Sequence, residues 1–201
     1  GARRMRRIGV LLAALLLAAA LAGCNGGESP SGGSADSESS PAAGDASGQV
    51  LVLGRSVMTG WVSHWGGDGS TPAEWEGYMI TFREIEGPPG IGESAVSAIE
   101  EAPAGSTVLF KFCFVDFNGG DYDEELDAYL ENVAEVADAA DSRGVRLILG
   151  TALPKVDGET TDELVAEHRE FGQRLEEFAA DRRSAGQDVV VLDLNAVLAD
   201  S

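Results

Sequence analysis

A serine stands directly after the first strongly apolar run that follows the amino-terminal region. Residues 50–53, Val-Leu-Val-Leu, lead into Gly54-Arg55-Ser56, which is typical of a buried parallel strand that runs into a turn. Because ligands of open α/β sheets bind outside the carboxyl ends of the strands, a hydroxyl in this position is a candidate nucleophile. The alternative is that Ser56 only caps the next helix, since serine is a favoured N-cap residue.

A nucleophilic serine also needs a base, usually a histidine, and donors aimed at the developing oxyanion. The chain has two histidines. His64 follows Ser56 by eight residues in a predicted helix, about 12 Å along its axis, which is too far for a direct hydrogen bond. His168 lies on the apolar face of a later predicted helix, where a partly buried core role is favoured over catalysis. The residues therefore offer a nucleophile without its base.

Three other polar residues lie near predicted strand ends. Asp116 closes the apolar segment 106–117, where an acid is costly unless it is paired or functional. We expect it either to orient the active-site loops or to form a structural salt bridge. Arg55 has two interpretations as well: it holds an anionic group or the oxyanion, or it faces solvent or pairs with an acid. Cys113 is predicted to be a buried, inert thiol.

Hydrophobic periodicity predicts the elements that position these residues. Strands are predicted at 50–53, 77–85, 106–117, 145–150 and 188–194, and helices at 57–65, 91–102, 123–140 and 161–180. This alternation predicts a three-layer α/β/α domain with a five-stranded parallel, flavodoxin-like sheet. Residues 66–75, rich in glycine, are predicted to be a loop. No glycine-rich phosphate-binding motif follows the first strand, so the chain lacks the usual nucleotide cradle.

The amino-terminal region predicts export and a lipid anchor. Residues 1–24 have a basic start, an apolar stretch at 8–21 that is short for a membrane span, and a Leu-Ala-Gly-Cys end. That end resembles the lipobox of bacterial lipoproteins, which implies lipidation of Cys24 and attachment to the extracytoplasmic face of the membrane. The alternative is an ordinary signal peptide with a chance cysteine. Residues 25–48, mostly Gly, Ser, Pro, Ala and acids, predict a flexible tether to a domain at 49–201.

Charge and composition argue against two classes of partner and two kinds of site. The formal net charge is −20, from 14 Lys+Arg against 34 Asp+Glu. A chain this acidic does not favour binding to nucleic acid or to anionic head groups through a basic face. The two cysteines and two histidines are widely separated in sequence and form no metal-ligand pattern, so neither a metal nor an organic cofactor is implied.

Several segments resemble the motif blocks of SGNH/GDSL-type hydrolases, across about residues 49–200. They are Gly54-Arg55-Ser56, the segment 113–116 (Cys-Phe-Val-Asp), the segment 151–154 (Thr-Ala-Leu-Pro) and Leu192-Asp193-Leu194. The resemblance implies Ser56 as nucleophile. Its own backbone N–H and that of Gly92 are the oxyanion donors that it implies, with Gly90 as the alternative glycine. Asn118 is a further donor if the loop is shifted, and Asp116 and Arg55 belong to the same oxyanion and substrate-binding region.

The chain also departs from that pattern. Arg55 replaces the aspartate of the G-D-S block, and no D-x-x-H block is found before Ser201. We therefore expect the catalytic Asp and His beyond Ser201 or absent, and a nearly inactive 201-residue chain. The implied function is a surface-tethered serine esterase or acyl-ester hydrolase for small-molecule, carbohydrate or lipid esters. A non-catalytic ligand-binding lipoprotein that retains the fold is the alternative. Neither the ester nor the oligomeric state follows from the sequence.

Overall fold

The computed structural model describes residues 48–67, 71–153, 155 and 157–199. The predicted signal peptide and nearly all of the predicted tether lie outside these residues, so the lipid anchor at Cys24 stays a prediction. No helix within the described ranges combines the length and apolar character needed to cross a membrane.

All five predicted strands form, and one more joins them. The strands are β1 (Gln49–Gly54), β2 (Ala73–Trp75), β3 (Tyr78–Glu84), β4 (Thr107–Lys111), β5 (Arg146–Gly150) and β6 (Val189–Leu192). They form a six-stranded sheet in the order β2-β3-β1-β4-β5-β6. All neighbours are parallel except β2 and β3, which are antiparallel. The three-layer class is confirmed, and the predicted count of five strands is corrected to six.

The additional strand lies in the segment that was predicted to be a loop. β2 pairs with β3 so that Trp75 is opposite Tyr78, which leaves a two-residue turn at Glu76 and Gly77. Both turn residues have positive φ, 49° and 86°, the backbone that matches a tight hairpin to the twist of its strands. The sequence signal was incomplete, because this turn usually begins with Asn, Asp or Gly rather than with glutamate.

Helices cover both faces of the sheet. They are α1 (Ser56–His64), α2 (Ile91–Glu101), α3 (Asp123–Arg143), α4 (Asp162–Ser184) and α5 (Leu194–Ala199). The ends of the long helices follow from local chemistry. The side chain of Thr161 caps the start of α4 by accepting the Leu164 N–H, and Gly144, with φ of 69°, ends α3 in the left-handed conformation.

Alternate strand residues divide the apolar core between the two faces. Leu53 of β1, Phe110 of β4 and Leu149 of β5 belong to one buried cluster with residues of α2, α3 and α4. Helix α1 packs on the opposite face, where a Cβ at Gly54 would lie 2.4 Å from Met58 Cγ. A glycine at the end of β1 therefore lets the start of α1 lie close against the strand.

The strand order reverses at β1, which is the position at which doubly wound sheets form a ligand crevice. The chain passes from β1 to β3 on one side and then to β4 on the other, so that β1 lies between them. In doubly wound sheets such a reversal separates the loops beyond the carboxyl ends of two neighbouring strands and opens a ligand crevice there. The turn after β1 and the loop after β4 flank this crevice.

Candidate active site

The structure places Ser56 where a nucleophile is expected. Ser56 is the first residue of α1, at the carboxyl end of β1, and its side chain is exposed. The capping alternative is wrong, because Arg55 is the N-cap residue and no side chain caps this helix. N–H groups in the first turn of a helix lack intrahelical acceptors and carry partial positive charge. Helix α1 therefore presents donors of the kind that an oxyanion requires, close to the Ser56 hydroxyl.

An ion pair connects the two sides of the crevice. Arg55 Nη1 lies 2.7 Å from Asp116 Oδ1, and the two side chains are 32% and 4% exposed. The other carboxylate oxygen, Oδ2, accepts the backbone N–H of Cys113 at 2.7 Å. Of the alternatives for Arg55 and Asp116, the acid-paired arginine and the structural salt bridge are therefore confirmed. The pair fixes the turn that carries Ser56 to the loop after β4.

Asp116 does not close a strand, which corrects the sequence prediction. β4 ends at Lys111, and Phe114–Asp116 form a 3₁₀ turn. The turn is closed by the Asp116 N–H, which donates to the Cys113 carbonyl at 3.0 Å. Burial raises the pKa of Asp116, while the Cys113 N–H and the Arg55 guanidinium act against that rise. The buried position predicted for Cys113 is confirmed, since the free cysteine is 5% exposed.

The glycine beside this ion pair is Gly87, which the sequence interpretation missed. A Cβ on Gly87 would lie 2.3 Å from Arg55 Nη1 and 3.7 Å from Asp116 Oδ1. The signal was available, since Gly87 follows the end of a predicted strand at residues 77–85. Gly92 lies instead within α2, and its N–H donates to Asn132 Oδ1 at 3.0 Å. The Gly92 N–H is thus engaged with α3, and its predicted oxyanion role requires that bond to break.

Asn118 lies on the loop after β4, and both ends of its amide are engaged. Its Nδ2 donates to Glu125 Oε2 at 3.2 Å, and its Oδ1 accepts the Gly120 N–H at 2.9 Å. An oxyanion role for Asn118 would therefore require Nδ2 to leave Glu125. The same loop is held from α4, where Glu167 Oε2 accepts the Gly119 N–H at 2.6 Å.

Glu167 is a second residue that the sequence interpretation missed. It is fully buried, and burial raises its pKa, whereas the backbone N–H groups of Gly119 and Asn118 lower it. The helical periodicity could have identified Glu167, because it follows Leu164 by three residues and so lies on the apolar face of α4. A glutamate on such a face needs a buried partner, and the backbone of the loop after β4 supplies it.

Neither histidine is placed to serve Ser56 as a base. His64 is the last residue of the nine-residue α1, at the opposite end of the helix from Ser56. His168 belongs to α4, on the other face of the sheet from α1, and packs edge-to-face on Phe117 with ring centroids 4.9 Å apart. Burial, with a contribution from Lys155, lowers the pKa of His168 to about 4. The buried core position predicted for His168 is confirmed.

A polar cleft of about 540 Å³ lies beyond the ends of β5 and β6. Thr151 Oγ1 donates to Asp193 Oδ1 at 3.2 Å and accepts the Asn195 N–H at 3.1 Å. Asp193 Oδ1 also accepts the Ala196 N–H at 2.9 Å, so this carboxylate binds the start of α5. His168 lines the same cleft. Among the described residues, no three His, Cys, Asp or Glu side chains form a potential metal site.

Comparisons with known proteins give structural similarity only. No family model matches the chain, and no curated protein matches it. One similar solved structure is a candidate acylhydrolase from Bacteroides fragilis, with 19% identity over 75% of this chain and 69% of that chain and a TM-score of 0.49. A second is a GDSL-like lipase from Bacteroides thetaiotaomicron, with 19% identity over 72% of this chain and 68% of that chain and a TM-score of 0.44. A third is a member of the lipolytic protein G-D-S-L family from Veillonella parvula, with 14% identity over 76% of this chain and 80% of that chain and a TM-score of 0.48. The chain is similar to GDSL-type hydrolases.

Proposed function

We propose that this chain is a serine-nucleophile ester hydrolase of the SGNH/GDSL type, an esterase or acyl-ester hydrolase with Ser56 as its nucleophile. One observation carries the proposal. An exposed serine begins α1 at the carboxyl end of β1, beside the crevice where the strand order reverses. Hydroxyl, helix N-terminus and crevice therefore coincide, as an acyl-transfer site requires.

In the proposed reaction the Ser56 oxygen attacks the ester carbonyl, and the carbonyl oxygen becomes an oxyanion. Backbone N–H groups in the first turn of α1 are suited to stabilise it, and one such donor contributes about 3 kcal/mol in other enzymes. Arg55 is already paired with Asp116, so its main contribution is to fix the turn. When the tetrahedral intermediate collapses, the ester C–O bond breaks and the leaving alkoxide takes up the proton that the base removed from Ser56. Water then hydrolyses the acyl-enzyme.

The serine proton needs an acceptor, and neither His64 nor His168 is positioned for it. The resemblance to the family implies a D-x-x-H block after the last parallel strand, so we propose that a segment following β6 supplies this base. The second candidate function is a ligand-binding lipoprotein with the same fold. The observation that favours it is the position of the two histidines, which leaves Ser56 without a neighbouring imidazole among the described residues.

A fluorophosphonate probe separates the two functions. We expect the full-length protein to be labelled, and Ser56→Ala to lose labelling and ester hydrolysis by at least about 10³-fold. Ser63→Ala is the matched control, because Ser63 is another exposed serine of α1. A folded full-length protein that remains unlabelled, and that hydrolyses none of a panel of small-molecule, carbohydrate and lipid esters, would leave the binding function as the better assignment.

The cellular location is a separate proposal. The Leu-Ala-Gly-Cys24 end of the predicted signal peptide supports lipid attachment, which would hold the domain at the outer surface of the membrane. Metabolic labelling with an alkyne fatty acid tests this directly. We expect the wild-type protein to carry the label in the membrane fraction, and Cys24→Ser to lose both the label and the membrane association.

A further inference from the structure

The guanidinium of Arg55 is only partly used by its ion pair. A guanidinium carries five N–H donors in a planar fork, and here Nη1 donates to Asp116 Oδ1 at 2.7 Å. The second carboxylate oxygen accepts the Cys113 N–H, so the pair lacks the two-bond geometry in which a fork binds both oxygens. Across the described ranges, Asp116 is the only residue bound to this guanidinium. The donors on Nη2 and Nε therefore remain for another acceptor.

The ion pair presents its positive end to the solvent. The side chain of Arg55 is 32% exposed, whereas that of Asp116 is only 4% exposed. An anion that approaches from the solvent therefore meets the guanidinium first and the carboxylate behind it. Because the interaction between charges weakens with distance, the attraction to the nearer cation exceeds the repulsion by the covered acid. The pair can bind an anion although it is neutral as a whole.

The loop after β3 leaves room for the guanidinium and does not neutralise it. A Cβ on Gly87 would lie 2.3 Å from Arg55 Nη1 and 3.2 Å from Cζ, so the glycine provides the space in which the guanidinium lies. The acid before it, Glu86, has its carboxylate at the start of α2, where a Cβ on Gly90 would lie 2.4 Å from Glu86 Oε2. Glu84, at the end of β3, is exposed. Neither acid forms an ion pair with Arg55.

We propose that Arg55 determines substrate specificity: its free guanidinium donors bind a carboxylate carried by the acyl or the alcohol part of the ester. This inference rests on the proposed hydrolase function. Arg55 directly precedes Ser56, so a carboxylate bound to its side chain and a carbonyl attacked by the serine can belong to one small molecule. The arginine stands where the G-D-S block has an aspartate, which would repel such a substrate. The replacement therefore reverses the charge beside the nucleophile and with it the preferred class of ester.

Two matched pairs of esters test the proposal on the full-length protein. The acyl pair is 4-nitrophenyl hydrogen adipate and 4-nitrophenyl hexanoate, which differ in a terminal carboxylate. The alcohol pair is 4-acetoxybenzoate and 4-acetoxytoluene, in which the carboxylate is on the leaving group. The value of kcat/KM for each ester is divided by its rate of hydrolysis by hydroxide. We expect the anionic member of one pair to be favoured by at least about tenfold, the contribution of a hydrogen bond between charged groups.

Variants of Arg55 separate substrate binding from the role of the ion pair in the fold. Arg55→Gln breaks the pair and slows both members of a pair of esters, but the preference for the anionic member should fall by about tenfold more. Arg55→Lys keeps a charge without the fork, so it should retain part of that preference. Arg146→Gln is the matched control, because Arg146 is 22% exposed and pairs with Asp188 at 2.7 Å at the start of β5. Its preference should equal that of wild type.

The outcomes are distinct. A wild-type protein that hydrolyses the neutral esters without preferring the anionic member of either pair overturns the role of Arg55 and leaves the hydrolase function intact. The same holds if Arg55→Gln keeps the wild-type preference, or if the protein reacts with a fluorophosphonate but hydrolyses none of the four esters. If Arg55→Gln does not fold, an unchanged preference in Arg55→Lys overturns the role and a reduced one supports it. A wild-type protein that neither reacts with the probe nor hydrolyses any ester overturns the proposed function, and this inference with it.

Discussion

Two basic side chains are buried at the carboxyl edge of the sheet, in opposite electrostatic surroundings. Lys111, at the end of β4, has the Asp116 carboxylate among its neighbours, and burial lowers its pKa only to about 8. His168, on α4, has a ring contact with Phe117 and a 3.5 Å approach to Asn195. Burial lowers its pKa to about 4, with Lys155 adding to the effect. At neutral pH the lysine is charged and the histidine is neutral.

The difference divides the edge of the sheet into an ionic part and a neutral part. The ionic part lies at the β1/β4 crevice, where charges fix the turn before Ser56. The neutral part, named for the uncharged His168 imidazole, lies beyond β5 and β6, where hydrogen bonds among Thr151, the Asp193 carboxylate and Asn195 hold the start of α5. Charge is thus retained beside the candidate nucleophile, although its burial is unfavourable, and is absent from the imidazole that serves as a packing residue. Four measurements test this division.

The largest effect is expected from removing the acid of the ionic part. Asp116→Ala leaves the Arg55 guanidinium without its anion, and breaking a buried ion pair in this way lowers the unfolding free energy by about 3 kcal/mol. Asp188→Ala is the matched control, since Asp188 pairs with Arg146 at 2.7 Å while 53% exposed, and such pairs contribute about 0–1 kcal/mol. Urea unfolding of both variants makes the comparison. Equal losses would show that burial of the Asp116 pair has no energetic consequence.

The neutral part is expected to affect stability at acidic pH. The pKa of His168 is lowered in the folded state, so the unfolded chain binds its proton first as the pH falls below 6.5. The contribution of the neutral His168 to the unfolding free energy is therefore fully present above pH 6.5. It falls by up to about 3 kcal/mol as the pH approaches 4. His168→Gln should lose less stability than wild type between pH 7.5 and 4.5, whereas His64→Gln, at an exposed site, should match wild type. The same pH dependence in all three proteins would exclude a buried neutral imidazole.

Gly87 offers a smaller perturbation of the ionic part. A Cβ there would meet the guanidinium of Arg55, which would have to shift away from Asp116 and so weaken the ion pair. We expect Gly87→Ala to lower the rate of fluorophosphonate labelling about tenfold, about 1.4 kcal/mol in activation free energy. The unfolding free energy should fall by about 2 kcal/mol, less than in Asp116→Ala, because the guanidinium only shifts and the carboxylate keeps the Cys113 N–H. Gly60→Ala on α1, where a Cβ meets nothing within 4 Å, should keep the wild-type rate. Wild-type labelling of Gly87→Ala would indicate that the ion pair does not control Ser56.

The smallest effect is expected for the predicted oxyanion amide. Asn118 Nδ2 is bound to Glu125, so Asn118→Ala should change the labelling rate by less than about threefold, whereas loss of a true oxyanion donor costs about 10²–10³-fold. Asn132→Ala removes the acceptor of the Gly92 N–H, so the same labelling assay on this variant tests Gly92, the other predicted oxyanion donor. A loss of 10²-fold or more in Asn118→Ala would show that the loop moves in the reaction and that the resemblance assigned its role correctly.

The sequence predicted the parallel strands because a strand buried on both faces is a continuous apolar run, and that signal is local. The strand predicted at 106–117 was too long, since the observed strand ends at Lys111 and a 3₁₀ turn follows. Apolar composition does not mark the end of a strand inside a core. It missed β2 because its turn uses a glutamate at positive φ. The loop after β4 is held by Arg55, 61 residues away, whereas β2 pairs with its neighbour β3 across a two-residue turn.

For the candidate site, the sequence by itself determined that a serine follows the first strand and that no histidine lies close to it along the chain. Tertiary structure alone decided which groups surround that serine. Arg55 and Asp116 are 61 residues apart, and Gly87 and Lys111 come from two further segments. Their partnership arises because parallel strands bring their carboxyl ends to one edge, where low solvent exposure makes charges pair, and neither effect is visible in local sequence.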